Sequence, residues 1–338
     1  MDEMELRMKK RMQKIYFSES KGNHEEIYFS VDCYDKILYH ALHEYVGDCK
    51  VIFCNDINLG LIKNPFSCYP NDLRLNEEIF SVKRYMPEFK DSFSLLENLI
   101  DTGVTVGVCT MFDRLPSYEW YGLEDKRGKS NTHFSLVIGY DKENYYFVDD
   151  PCMLKPDAER LPSNSTVAIL KKQHLQKAFE EYCQILTVGI NTDKLENADK
   201  FFKIKDAIVE NYYKEKVWET DNVSIGRKAL LNLLEILQDN QFFDMIVSNF
   251  YWTYLMARKR ELFGRCLVEK SWKENVNNVQ RIINQSCKEW EMLHSRIRAF
   301  VCGSGTAIQT KEKMIKRIEE IIEVEDRMIE AIASLHQE

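Results

Sequence analysis

Cys33, His133 and an aspartate at position 150 or 149 are the side chains here whose types and settings suit nucleophilic catalysis. A thiol attacks a carbonyl carbon as the thiolate, and an ordinary cysteine is mostly protonated at neutral pH. A helix N-terminus and a neighbouring imidazole both favour the thiolate. A carboxylate behind that imidazole fixes its tautomer and stabilises its charge. Cys33 follows Asp32, a residue type suited to cap a helix, and opens the segment CYDKILYHALHEYV. His133 stands near the start of THFSLVIGYDKENYYFVDDP, and Asp149 and Asp150 stand near its end.

Bringing these groups together requires a hairpin and a helix. His133 to Tyr140 is apolar and β-branched, Tyr145 to Asp149 reads as a second strand, and Asp141 to Asn144 supplies turn residues. Antiparallel pairing makes neighbours of the two ends of such a hairpin. Which aspartate faces the ring depends on register, because a slip of one residue turns every side chain to the other face. Asp150 is the first candidate and Asp149 its rival. Ile37, Leu38, Ala41, Leu42, Tyr45 and Val46 follow helical spacing and stop at Gly47.

The neighbouring segments read as an α+β domain. Phe93 to Thr102 is expected as a helix, with Ser94 and Glu97 as a capping box and Gly103 past its end. Val104 to Thr110, Thr166 to Leu170 and Gln184 to Ile190 read as strands, and Lys172 to Tyr182 as a helix. Ile57 to Pro87 reads as loops with short elements. Residues 1–190 are therefore expected to form a domain with a largely antiparallel sheet. Beyond Asn191, helical patterns cover 193–218, 224–238, 242–272, 274–301 and 310–335, so 191–338 is expected as an all-helical lobe.

HFSLVIGYDKENYYFVDDP resembles the His and Asp-Pro segment of the C39 cysteine peptidase family, and Asp32-Cys33 resembles that family's nucleophile segment. The chain is closer in pattern to the butirosin-pathway acyltransferase family, whose members join a papain-like domain to a helical region. LIDTGVTVGVCTMFDRLP (Leu99 to Pro116) resembles that family's segment before the histidine; Ile225-Gly226 to Leu230, Trp290 and the Glu325 helix resemble its helical part. Amide synthetases of the closthioamide pathway are a further point of resemblance. What the resemblance implies is a papain-like fold over residues 1–190 and thiotemplated acyl transfer. Cys33 would take an acyl group from the phosphopantetheine of an acyl or peptidyl carrier protein, and an amine would then accept it. His133 would act as base and then acid, and Asp150 or Asp149 would orient it. No bound cofactor or metal is implied. One departure stands out: Ile27 occupies the place of the papain-like oxyanion-hole glutamine, which weakens the case for ordinary peptide hydrolysis. A cysteine peptidase or amidohydrolase, and a binding protein with an idle site, remain the alternatives.

Composition narrows the rest. At 338 residues, with 44% hydrophobic and 30% charged residues, the chain has the make-up of an ordinary globular protein of one large or two medium domains. A formal charge of −8 argues against a general nucleic-acid binder, and no apolar run is long enough to span a bilayer. The start, MDEMELRMKKRMQK, lacks the apolar core of a secretory signal. Ten cysteines without a CxxC pair fit free thiols in a reducing cytoplasm and lack zinc-site spacing. Oligomeric state is open, with a homodimer one option.

Several other residues have plainer expectations. His40 and His43 have the spacing of a metal pair, but packing is the expectation for both. His40 lies about 10 Å along the helix from Cys33, too far to serve as its base. Cys109 and Cys152 are expected as small packing residues, and Phe250, Tyr251, Trp252 and Tyr254 as core. Glu325 and Arg258 interrupt apolar stripes, which fits either a buried ion pair or a pair that recognises substrate.

Overall fold

The structure, a computed structural model, describes residues 33–46, 57–63, 66–70, 79–118, 121, 132–149, 154–161, 164–193, 200–215, 222–238, 240–248, 250–268 and 276–336. In chain order the described elements begin α1 (Cys33–Val46), β1 (Leu59–Ile62), β2 (Ser67–Pro70), β3 (Phe80–Tyr85), α2 (Phe89–Asp101) and β4 (Thr105–Met111). A short 3-10 turn (Phe112–Arg114) precedes β5 (Thr132–Tyr140), β6 (Asn144–Val148), β7 (Arg160–Leu161), β8 (Asn164–Lys171), α3 (Lys172–Glu181) and β9 (Cys183–Ile190). Then follow α4 (Lys200–Tyr212), β10 (Val223–Ile225), α5 (Gly226–Gln238), α6 (Asn240–Ser248), α7 (Tyr251–Val268), α8 (Val276–Val301) and α9 (Ala307–Ala333). The architecture is α+β, with antiparallel sheets and a helical C-terminal region. The described residues within Asp32–Cys49 and Glu77–Leu195 form one compact unit, and those within Lys50–Asn76 and Glu196–Glu338 a second.

The first unit is built on a seven-stranded antiparallel sheet of order β3-β9-β4-β5-β6-β8-β7. Strand alternation gives β4 two different faces. Val106 and Val108 join the core formed with Leu96 and Ile100 of α2 and with Leu175, Ala178 and Phe179 of α3. Between them, Gly107 lets α1 approach: a Cβ there would lie 2.4 Å from Ile37 Cδ1 and 3.0 Å from Leu186 Cδ1. Helical spacing brings Ile37, Leu38, Ala41 and Leu42 to the buried side of α1, as the apolar pattern predicts.

The β5–β6 hairpin has a sequence-local cause. The Asp141 carboxylate accepts the backbone N–H groups of Glu143 and Asn144, each at 2.7 Å, and closes the turn. The capping box expected at Ser94 and Glu97 is absent. The α2 N-cap is Glu88, Ser94 Oγ donates to the Asp91 carbonyl, and Glu97 Oε1 accepts from Tyr145 and Lys172. The helix begins earlier than expected, so Ser94 falls inside it.

In the second unit, α7 packs on α8 and α8 on α9, while α9 also packs on α4 and α5. The expectation of an all-helical lobe is corrected here. Val223–Ile225 forms a strand against Leu59–Ile62, which pairs in turn with Ser67–Pro70. Leu59–Ile62 and Ser67–Pro70, within the stretch expected as loops with short elements, are thus two short strands of this unit. A three-residue strand has little periodicity of its own, and its partner lies far off in sequence. The helix expected over 242–272 is two helices, α6 and α7. No helix among the described residues is long and apolar enough to cross a membrane.

Candidate functional site

Cys33 is the first described residue of α1, and Asp32, the expected cap, lies outside the described residues. The first N–H groups of a helix have no acceptor within it, and this end of the helix dipole favours negative charge. Cys33 is half-buried and its side chain is a hydrogen-bonding partner of His133. His133 is the second residue of β5, so the opening end of this strand meets the start of α1. The following residues meet as well: the rings of Tyr34 and Phe134 lie edge to face at 5.5 Å.

The His133 ring is buried. Phe112 and Tyr118 lie edge to face with it, at 5.8 and 6.1 Å between centroids. Its Nε2 faces both oxygens of Asp149, Oδ1 at 2.9 Å and Oδ2 at 2.8 Å. Nδ1 is the ring atom left for the thiol. Register accounts for the choice of aspartate: Leu136 pairs with Val148, so the ladder continued by one residue sets Ser135 opposite Asp149. His133, two residues from Ser135, shares that face. Asp149, the rival in the sequence reading, is thus the carboxylate that holds the histidine; Asp150 lies outside the described residues.

Asp149 is buried and has further partners. Its Oδ2 accepts from Tyr118 Oη and from Ser135 Oγ, each at 2.7 Å. Sequence reading missed both donors. Ser135 carried a faint signal, a small hydroxyl inside an apolar strand, whereas Tyr118 belongs to Leu115 to Asn131, a stretch whose many aromatic and charged residues single out no one of them. Burial disfavours the charged carboxylate, but the His133 charge and hydrogen bond, the Lys36 ammonium and the Tyr118 phenol outweigh it, holding Asp149 at about 2. Burial likewise disfavours the charged ring, yet the Asp149 charge and then that of Cys33 push His133 up to about 10. The pair therefore favours an imidazolium beside the sulfur at neutral pH.

The other sequence candidates separate cleanly. Cys109 is buried on β4, and burial, then the Cys33 charge, push its thiol up to about 12, which makes it a poor nucleophile. Cys152 and Ile27 lie outside the described residues. His40 is buried with its ring against Tyr39. Among the described residues no group of three or more His, Cys, Asp or Glu is placed to hold a metal ion. Trp252 is buried, whereas Tyr251 is exposed, so the aromatic run is core only in part. Glu325 pairs with Arg260, not with Arg258. The Arg260 guanidinium reaches both Glu325 oxygens at 2.7 Å, and Ser286 and Trp290 donate to Oε1. Arg258 instead pairs with Glu261 and Glu291.

What the site can do follows from this arrangement. A half-buried sulfur at a helix start, an imidazole beside it and a buried carboxylate behind the imidazole can form and discharge a covalent acyl-thioester. No protein-family model matches this chain, and no curated protein does.

Proposed function

We propose that this protein is a cysteine-dependent acyltransferase with a papain-like catalytic domain. It moves an acyl group from a carrier-protein thioester to an amine and forms an amide, as in the biosynthesis of antibiotic-type secondary metabolites. The observation that carries the reading is the contact of His133 with both Cys33 and the buried Asp149. The resemblance of the segments around Cys33 and His133 to thiotemplated acyltransferases supports the choice of donor.

In the first half-reaction the Cys33 thiolate attacks the thioester carbonyl, and the carbon–sulfur bond to the pantetheine breaks. His133 gives its proton to the departing thiol. In the second, the amine attacks the acyl-Cys33, His133 takes the amine proton, and the Cys33 thiolate leaves. The Cys33 backbone N–H, at the start of α1, supports the oxyanion in both steps. The donor arrives activated, so no nucleotide is consumed.

Intact mass of the full chain, mixed with an acyl-carrier-protein thioester, tests this. A mass gain equal to the acyl group is expected, absent in Cys33→Ala and discharged by added amine. Prompt discharge by water alone identifies a hydrolase instead. A chain that takes no acyl group from any carrier or pantetheine thioester overturns the reading.

A further inference from the structure

The Asp149 carboxylate belongs to a triangle of oxygens. Tyr118 Oη and Ser135 Oγ each lie 2.7 Å from Oδ2 and 3.0 Å from one another. Two hydroxyl protons serve these three approaches. The two shorter ones point at the carboxylate oxygen, and the longest is the approach that carries no proton. This arrangement needs Oδ2 as a pure acceptor, which is the ionised form of aspartate. The torsion that turns a carboxylate about its last bond is soft. A single imidazole contact would leave it free, whereas two further donors on one oxygen fix it.

Neither donor is placed casually. Tyr118 is fully buried, and its segment is tied to the chain beyond Asp149 by a bridge to Leu154 and by the Lys155 N–H bonded to the Ser117 carbonyl at 3.0 Å. Ser135 is a buried hydroxyl on the same face as His133 and the core residue Val137, where an unpaired hydroxyl would be costly. Both spend their proton on Asp149.

We propose that Tyr118 and Ser135 are positioning residues, which lock the Asp149 carboxylate in the orientation that holds His133 Nε2. The inference rests on the catalytic reading of Cys33 and His133, and it assigns two hydroxyls to the pH response of that pair. Among the described residues, the groups acting on Asp149 include His133 and Ser135 from β5, Tyr118 from the segment before it and Lys36 from α1, with Cys33 beyond the ring. A carboxylate freed to turn holds the imidazolium less well, so removing a donor weakens the positive charge set beside Cys33 and moves the acid limb of its alkylation to higher pH. Burial and the Asp149 charge hold the Tyr118 phenol well above its usual range, so this donor keeps its proton at alkaline pH.

The test is the rate of Cys33 alkylation by iodoacetamide against pH in the full chain, read on the Cys33 peptide by mass. Tyr118→Phe and Ser135→Ala are each expected to move the acid limb of that profile up by about one pH unit. Ser135→Thr, which keeps the hydroxyl, is expected to restore it. With a thioester donor, both deletions are expected to lower kcat about tenfold and leave KM unchanged. Folded variants with unmoved acid limbs overturn the proposal. If one deletion fails to fold, the other decides, read beside Ser135→Thr: an unmoved profile in the folded deletion overturns the proposal. Alkylation needs no acyl donor. Absence of an acyl adduct therefore counts against the proposed reaction alone, and an unmoved alkylation profile against the positioning role alone.

Discussion

Asp149 receives the His133 ring on both oxygens while its Oδ2 also takes the hydroxyls of Tyr118 and Ser135. The imidazole is held from behind by a group that is itself held. This relationship sets what each change near the site should do.

Asp149→Asn keeps the shape of the carboxyl and removes its charge. The amide can present its NH2 group to Nε2, and the ring then settles in the wrong tautomer. Cys33 alkylation at pH 7 is expected to slow by at least about tenfold, and acyl transfer by about a hundredfold or more. Asp150→Asn is expected to leave both within about threefold, since Nε2 is already engaged by Asp149. Parallel assays of the two variants check the choice; equal losses would refute it.

The same pair makes stability depend on pH in a stated direction. His133 is raised from 6.5 to about 10, so its contribution is whole below pH 6.5 and fades as pH climbs through 10. Asp149 is lowered from 3.8 to about 2, so its contribution is whole above pH 3.8 and fades as pH falls through 2. These are two views of one interaction and do not add. Urea unfolding of the unaltered chain and of Asp149→Asn should differ most between pH 4 and 6.5, by about 3 kcal/mol, and less toward pH 10. A gap that widens as pH rises above 6.5 would contradict the assignment.

Arg260 and Glu325 are each about 1% exposed, so removing either charge strands the other in the interior. Glu325→Leu and Arg260→Met are each expected to cost about 3–5 kcal/mol. The double variant is expected to cost less than the sum of the two, because no unpaired charge remains. Equilibrium denaturation of the three variants measures the coupling, and additive losses would show that the ion pair is not the source.

Gly107 controls how closely α1, and with it Cys33, sits on the sheet. Gly107→Ala sets a methyl 2.4 Å from the Ile37 Cδ1 position, and overpacking of this kind costs about 1–3 kcal/mol. Ile37→Val removes that Cδ1 and is expected to recover part of the loss in the double variant, although alone it destabilises by about 1 kcal/mol. Thermal midpoints of the three chains test this; a double variant no better than Gly107→Ala would place the clash elsewhere.

Local pattern made some of this legible. The apolar stripe of α1, the Asp141 turn and the alternating strands around it are fixed by neighbours within a few residues, so the helix of Cys33 and the hairpin of His133 could be read directly. Periodicity gives which face of an element is buried. It does not give which distant element meets that face. The strand at Val223–Ile225, the Arg260 partner of Glu325 and the phenol of Tyr118 behind Asp149 all depend on pairings across long stretches of chain. The sequence by itself determined the residue types able to do chemistry and the elements that carry them. Tertiary structure alone decided that Asp149 is the carboxylate at His133 and that two hydroxyls hold it, because strand register and loop packing set which side chains share a face.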